Sequence, residues 1–331
     1  MRKIRLGIVG AGLIWEKSHK DKLKELEHLY EITAFSVRSD GNYHKLRKQY
    51  PDSRIYRDFR ELVRSVDIDA VVVLTPLHMN AAVAMAALQA GKHALVEKPL
   101  ATSVEDVHRI LNLERSTGKK VLVLEQFRYD DRLRILKEFL GQGRIGDVVS
   151  YEMVDHGKID EDEHNAGGYG NTDWRIKPQF PLGTLFDRGV HTITRLTSLF
   201  SKVESVYAIG SRLRSGFGRY DHILMTFVHP NGIHGTFSFA GYLDGASNYF
   251  YIRGTRGTIR VEKTRLELSG EYNGVENLPD CDSSLAMWQK CGEWFSAPET
   301  PVYGSSEALD DIAALVAVDR SIERGSMVVV S

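Results

Sequence analysis

Apolar residues in the first 124 positions fall in short continuous runs: Ile4–Val9, Ile32–Val37, Ala70–Leu74, Ala94–Val96 and Val121–Leu124. The runs are rich in Val, Ile and Leu and do not alternate with polar residues, the pattern of strands covered on both faces. Between them the spacing predicts helices near Trp15–Glu27, Tyr43–Gln49, Phe59–Arg64, Asn80–Ala90 and Ser103–Ser116, the last with capping residues at Thr102-Ser103-Val104-Glu105. Repeated strand–helix units imply parallel strands and right-handed crossovers, hence an α/β fold with a doubly wound sheet.

After about Glu125 the pattern changes. A helix near Asp131–Leu140 leads to a strand at Val148–His156, a Gly-rich polar loop from Gly157 to Thr172 and a helix at Thr184–Phe200. Strands then predominate, at Val203–Gly210, His222–His229, Ile233–Ala240, Tyr249–Gly254 and Gly257–Lys263, before a final helix at Glu307–Arg324. Pro230-Asn231-Gly232 marks a hairpin, because Asn-Gly tolerates the positive φ of a tight turn. Interleaved apolar and polar residues flank it, so this part reads as α+β with a large, open, mainly antiparallel sheet.

A chain of 331 residues exceeds one ordinary core, and the change of pattern divides it into residues 1–124 and 125–331. A net charge of −1 without a Lys/Arg tract excludes an electrostatic footprint for nucleic acid or an anionic membrane. Two cysteines, Cys281 and Cys291, form neither a disulfide framework nor a CxxC pair. Met1-Arg2-Lys3-Ile4-Arg5 followed by Leu6–Trp15 has the outline of a targeting segment, but Glu16 and Lys17 follow at once without a small-x-small site. No apolar run reaches the roughly 18 residues of a membrane span, and the expectation is a cytoplasmic protein.

Gly10-Ala11-Gly12 lies directly between the first strand and the first helix. A tight turn there lets the backbone approach a pyrophosphate while the helix N-terminus offers free N–H groups, the arrangement of a Rossmann dinucleotide site. Gly10, Gly12, Leu13 and Ile14 are its expected cofactor contacts. Trp15 occupies the place of the third glycine, which implies a looser helix–sheet contact or a ring turned toward cofactor or solvent. Strand two ends Val37-Arg38-Ser39-Asp40 without the usual acid at its tip. Arg38 and Ser39 there favour the 2′-phosphate of NADP over NAD. Asp40 could still reach a ribose, and Arg38 could instead stack on adenine or be solvated.

Four further segments carry chemistry: Thr75-Pro76-Leu77-His78-Met79-Asn80, Glu97-Lys98-Pro99, Glu125-Gln126-Phe127-Arg128-Tyr129 and Gly183-Thr184-Leu185-Phe186-Asp187-Arg188-Gly189-Val190-His191. Together they resemble the glucose–fructose oxidoreductase/inositol dehydrogenase (Gfo/Idh/MocA) family over nearly the whole chain. The resemblance implies a Rossmann domain, a C-terminal α/β domain and a substrate cleft between them. It also implies dehydrogenase or reductase chemistry on a sugar, cyclitol or related polyol, and homodimers or homotetramers built on the open sheet. Lys98, Asp187 and His191 are then the catalytic set. The sequence departs from the family at Asn80, usually His, at Leu182, the first of a usual Gly-Gly, and at Thr194, usually Asp.

Asp187 and His191 are four apart, within reach of one another on a helix. Their face is rotated about 100° from the apolar stripe Phe186, Val190, Ile193 and Phe200, as suits residues lining a cleft. An adjacent carboxylate fixes the imidazole, so His191 can take a hydroxyl proton as hydride leaves the same carbon. Lys98 ends a buried strand at the edge where doubly wound sheets bind ligands, and Pro99 restricts it to extended backbone and permits a cis bond. Thr75, Pro76 and Leu77 are expected under the nicotinamide–ribose half, with Glu97 and Gln126 nearby. Trp174-Arg175 serves either cofactor and substrate or domain packing. Asp155, His156, Glu161, Asp162, Glu163 and His164 lack an ordered ligand spacing, and no metal site is expected. Two other readings remain at this stage: an NAD-dependent glycoside hydrolase on the same fold, and a cofactor-binding sensor without turnover.

Overall fold

The apolar runs of the first half become a six-stranded parallel sheet with strands β1 (Ile4–Val9), β2 (Tyr30–Ser36), β3 (Arg54–Tyr56), β4 (Ala70–Val73), β5 (His93–Glu97) and β6 (Val121–Leu124). The strand order is β3-β2-β1-β4-β5-β6, the Rossmann order, and it reverses between β1 and β4. The computed structural model describes residues 2–158, 168, 170, 172–180, 182–241, 243 and 248–331.

Helices α1 (Lys20–Glu25), α2 (Asp40–Gln49), α3 (Phe59–Val63), α4 (Leu77–Gln89) and α5 (Val104–Thr117) join these strands. Every residue of β4 is buried, as its continuous apolar run requires. Ser103 caps α5 by accepting from the Asp106 amide. The helix expected over Trp15–Glu27 opens instead as a π-helical turn, Trp15–His19, before α1. Trp15 is fully buried, edge-on to Phe35 with ring centroids 5.7 Å apart. The alternative of a ring turned toward cofactor or solvent is therefore corrected: the indole fills the core, where a glycine would leave a void.

In the second half, α6 (Asp131–Gly141) precedes β7 (Val148–His156), α7 (Asp173–Ile176), a π-helical turn at Leu185–Gly189 and α8 (Val190–Phe200). Strands β8 (Ser205–Ser211), β9 (His222–Val228), β10 (His234–Ala240), β11 (Asn248–Gly254), β12 (Gly257–Val261), β13 (Arg265–Gly270) and β14 (Gly274–Asn277) follow. Helices α9 (Ser283–Ser296) and α10 (Ser305–Arg324) and strand β15 (Val328–Val329) end the chain. β7 joins the later strands in a nine-stranded sheet, ordered β14-β13-β12-β11-β7-β10-β9-β8-β15. Its pairs are antiparallel except β10 with β7. The β9–β10 hairpin turns at Gly232, φ 82°. One sheet face packs on α8, where Tyr151 stacks on Phe200 at 4.7 Å. On the other, Ile209 and Leu224 face each other across β8 and β9 and are 53% and 45% exposed.

Two units emerge from this packing, residues 1–126 with Ser284–Leu309 and Phe127–Ser283 with Asp310–Ser331. The first unit's opening stretch ends at Gln126, and Ser284–Leu309 returns to it. Long-range bonds explain the return: Tyr30 donates to the Trp288 carbonyl at 2.7 Å and the Val123 amide to the Tyr303 carbonyl at 2.8 Å. Strands β3, β13, β14 and β15 and helices α7 and α9 lie beyond the elements expected from patterning. Among the described residues no helix is long and apolar enough to cross a membrane.

Candidate active site

In the first unit, β1 delivers Gly10 to the point where strand order reverses. Gly10 has φ +91°, and a Cβ on it would stand 2.4 Å from the Leu74 carbonyl at the end of β4. Only glycine satisfies both the backbone angle and that approach. Nothing lies within 4 Å of where a Cβ on Gly12 would stand. The half-buried Leu13 and Ile14 begin the helix directly after this open space beside Gly12. This cradle fits a dinucleotide pyrophosphate.

At the tip of β2, Ser39 caps α2, accepting from the Asn42 amide at 3.3 Å. Arg38 is exposed, and its carbonyl accepts from Arg57 at 3.0 Å. Arg57 also pairs with Asp40 at 2.6 Å and lies over the Tyr43 ring. Sequence reading missed Arg57, which lies just past the end of β3 and announces nothing locally.

Beyond β4, Thr75 and Pro76 are half-buried and Leu77 is buried as the first residue of α4. Asn80 is fully buried. Its Oδ1 accepts from Thr75 Oγ1 at 2.9 Å, and its Nδ2 donates to the carbonyls of Glu97 at 2.8 Å and Pro99 at 2.9 Å. Those carbonyls flank Lys98, which is half-buried and precedes a cis bond to Pro99. The Glu97 carboxylate turns back to accept from the Lys98 amide at 2.9 Å. Gln126 is half-buried in the turn Gln126–Tyr129 that follows β6.

In the second unit, Asp187 lies inside the π-helical turn and is only 7% exposed. The expected uniform helix, with Asp187 beside its apolar stripe, is corrected accordingly. The wider turn takes the carboxylate inward, and Arg175 compensates it, Nε 2.5 Å from Oδ2 and Nη2 3.4 Å from Oδ1. The same guanidinium lies 4.0 Å over the Trp174 ring. A Cβ on Gly189 would meet Leu185 Cδ1 at 2.4 Å and Phe239 of β10 at 3.3 Å, so a larger residue there would make the Leu185 side chain shift. Leu182, where the family keeps glycine, has φ 60° and is fully buried.

His191 is half-buried at the start of α8, edge-on to Phe127 with centroids 4.9 Å apart at 90°. Arg128 donates to the Thr194 carbonyl at 3.1 Å, and buried Asp311 accepts from Thr194 Oγ1 at 3.0 Å and from Thr197. Thr194 thus binds a carboxylate from α10 rather than supplying one. Sequence reading named Phe127 within a family segment without its contact to His191 and missed Asp311, because nothing local links either to α8. Asp155 is bonded to Arg188 and Thr192, and His156 to Ser238. Glu161, Asp162, Glu163 and His164 lie outside the described residues. A cavity of about 710 Å³ in this unit is lined by Lys177, Gln179, Phe180, Arg212, Arg219 and Asp319 among others, and by neither Asp187 nor His191.

Comparison with known proteins agrees with this geometry. Residues 4–125 match an oxidoreductase family with an NAD-binding Rossmann fold, and residues 133–260 match the GFO/IDH/MocA C-terminal domain. A crystal structure of an oxidoreductase from Thermotoga maritima superposes with a TM-score of 0.90 at 31% identity, covering 99% of both chains. The trans-1,2-dihydrobenzene-1,2-diol dehydrogenase of Bos taurus is 26% identical over 81% of this chain and 78% of its own. The scyllo-inositol 2-dehydrogenase (NADP(+)) IolW of Bacillus subtilis is 25% identical over 67% of this chain and 59% of its own. On both domain matches and the Thermotoga maritima relative, the chain belongs to the Gfo/Idh/MocA family and is an NAD-binding oxidoreductase.

Proposed function

We propose that the protein moves hydride between a nicotinamide dinucleotide, NADP in preference to NAD, and a secondary alcohol or ketone of a sugar, cyclitol or related polyol. The observation that carries this reading is the setting of His191, held edge-on by Phe127 one helical turn after a carboxylate anchored on Arg175. The names of the inositol and diol dehydrogenases, both acting on ring alcohols, support the substrate class.

A nicotinamide dinucleotide held by these residues would supply the hydride acceptor or donor. Gly10, Gly12, Leu13 and Ile14 would hold the pyrophosphate, and Thr75, Pro76, Glu97 and Gln126 the nicotinamide half. In the oxidising direction the substrate carbon loses hydride with both electrons of its C–H bond. The hydroxyl proton passes to an imidazole nitrogen of His191, leaving a ketone. The Lys98 ammonium donates to the same oxygen and stabilises its developing negative charge. Asp187 orients His191, and Arg175 keeps that carboxylate in place. Reduction runs the same transfers backwards.

The exposed Arg38 and the absence of a carboxylate at Val37 support NADP, and Asp40 is already engaged by Arg57. Titrating the protein with NADPH and NADH tests this half. NADPH should bind more tightly, and Arg38→Ala should weaken NADPH about tenfold while sparing NADH. Equal affinities in both proteins would remove the NADP assignment. A panel of polyols and keto-sugars then tests the reaction. Net change in nicotinamide absorbance supports a dehydrogenase, whereas sugar release without net change identifies a hydrolase that recycles its cofactor.

A further inference from the structure

We propose that Asn80 is a positioning residue for Lys98, and that the same amide sets the hydrogen-bond polarity of Thr75. The inference rests on the reading of Lys98 given above. The Nδ2 group lies 2.8 Å from the Glu97 carbonyl and 2.9 Å from the Pro99 carbonyl. Carbonyl oxygens only accept, so the amide nitrogen must face them, and both of its hydrogens are used. The remaining Oδ1 lies 2.9 Å from Thr75 Oγ1 and can only accept. The Thr75 hydroxyl therefore donates to Asn80 and presents lone pairs alone to any ligand. Thr75 becomes an acceptor for an N–H or O–H group and has no proton left to offer.

The residue ties together three pieces of chain. Asn80 itself is on α4, Thr75 is in the turn after β4, and Glu97 and Pro99 bracket Lys98 at the end of β5. Because Asn80 is fully buried, its amide depends on these three protein bonds for its hydrogen-bond partners. A neutral imidazole has a single N–H, so histidine here could serve one of the two carbonyls only. Asparagine is the side chain that holds both sides of Lys98 at once while accepting from Thr75.

The test compares wild type with Asn80→Leu, Asn80→His and Thr75→Val, each first checked for folding by circular dichroism and melting temperature. Acylation of individual lysines in the cofactor-free protein is followed by mass spectrometry from neutral to alkaline pH, with Lys92 and Lys119 as references. Asn80→Leu should change the Lys98 rate several-fold and Asn80→His less, with both references unmoved. Thr75→Val, which leaves both carbonyl bonds intact, should leave Lys98 as in wild type. In turnover, Asn80→Leu should lower kcat about tenfold with KM nearly constant. Should Asn80→Leu fail to fold, Asn80→His against Thr75→Val carries the comparison. A lowered melting temperature with a Lys98 profile superimposable on wild type would overturn the proposal. Full turnover in Lys98→Met would instead overturn the functional reading, and the acylation profiles would still decide the placement of Lys98.

Discussion

Arg175 lays its guanidinium against Asp187, Nε 2.5 Å from Oδ2, in a pair whose side chains are 13% and 10% exposed. Such a pair is costly to break, because the survivor is left as a buried charge without its partner. Arg175→Ala is therefore expected to destabilise the fold by about 3 kcal/mol. It should also lower kcat, since the displaced carboxylate no longer orients His191. Arg175→Lys keeps the charge but loses the fork and should recover stability more than activity. Urea unfolding beside steady-state kinetics checks both; an Arg175→Ala protein with wild-type stability would disprove the pairing.

His19 is fully enclosed, and burial lowers its pKa to about 4. Its Nδ1 accepts from Trp288 Nε1 at 3.2 Å, so the neutral ring is the one the fold holds. The unfolded chain binds the proton more readily, so stability from His19 is complete above pH 6.5 and declines as pH falls toward 4. The loss should reach roughly 3 kcal/mol at the acid end. Unfolding free energies across that window should slope upward with pH, and His19→Gln should flatten the slope. An unchanged slope in the variant would refute the assignment.

Leu182 has φ 60°, a left-handed conformation that costs a non-glycine residue about 1–2 kcal/mol. Glycine there would relieve that strain but remove a fully buried side chain, a loss of about 2–5 kcal/mol. Packing outweighs strain, so Leu182→Gly should lower the melting temperature. A raised melting temperature would show that the strain is the larger effect.

The family resemblance implies association through the open sheet, and Ile209 and Leu224 stand outward across β8 and β9 on its free face. Ile209→Glu with Leu224→Glu should convert an oligomer to monomer in light scattering without altering the circular dichroism. A monomeric wild type, or a double variant that stays associated, would rule this face out.

Much of the first unit is legible in sequence because burial on both faces writes strands as uninterrupted apolar runs, as in β4. β3 is three residues with an exposed arginine, and β14 is exposed throughout, so neither leaves such a mark. Helix α9 did carry a signal, since Met287, Trp288, Cys291 and Trp294 fall on one buried face. Lys98, Asp187 and His191 were legible as residue types at family spacing, but their partners were not. Arg175 precedes Asp187 by twelve residues, Asp311 follows Thr194 by 117, and both π-helical turns look like ordinary helix in one dimension. Trp15 was left between two readings for the same reason, because the pattern gives its period and not the room the turn makes for it.

In the proposed reaction Lys98 and His191 carry charge and proton while a nicotinamide would carry the hydride. Single-turnover hydride transfer measures it most directly, with NADPH preloaded and a keto-sugar from the panel mixed in, comparing wild type with Lys98→Met and His191→Asn. Each variant should bind NADPH as wild type does and transfer hydride roughly 10²-fold more slowly or worse. Wild-type transfer rates in both variants would contradict it.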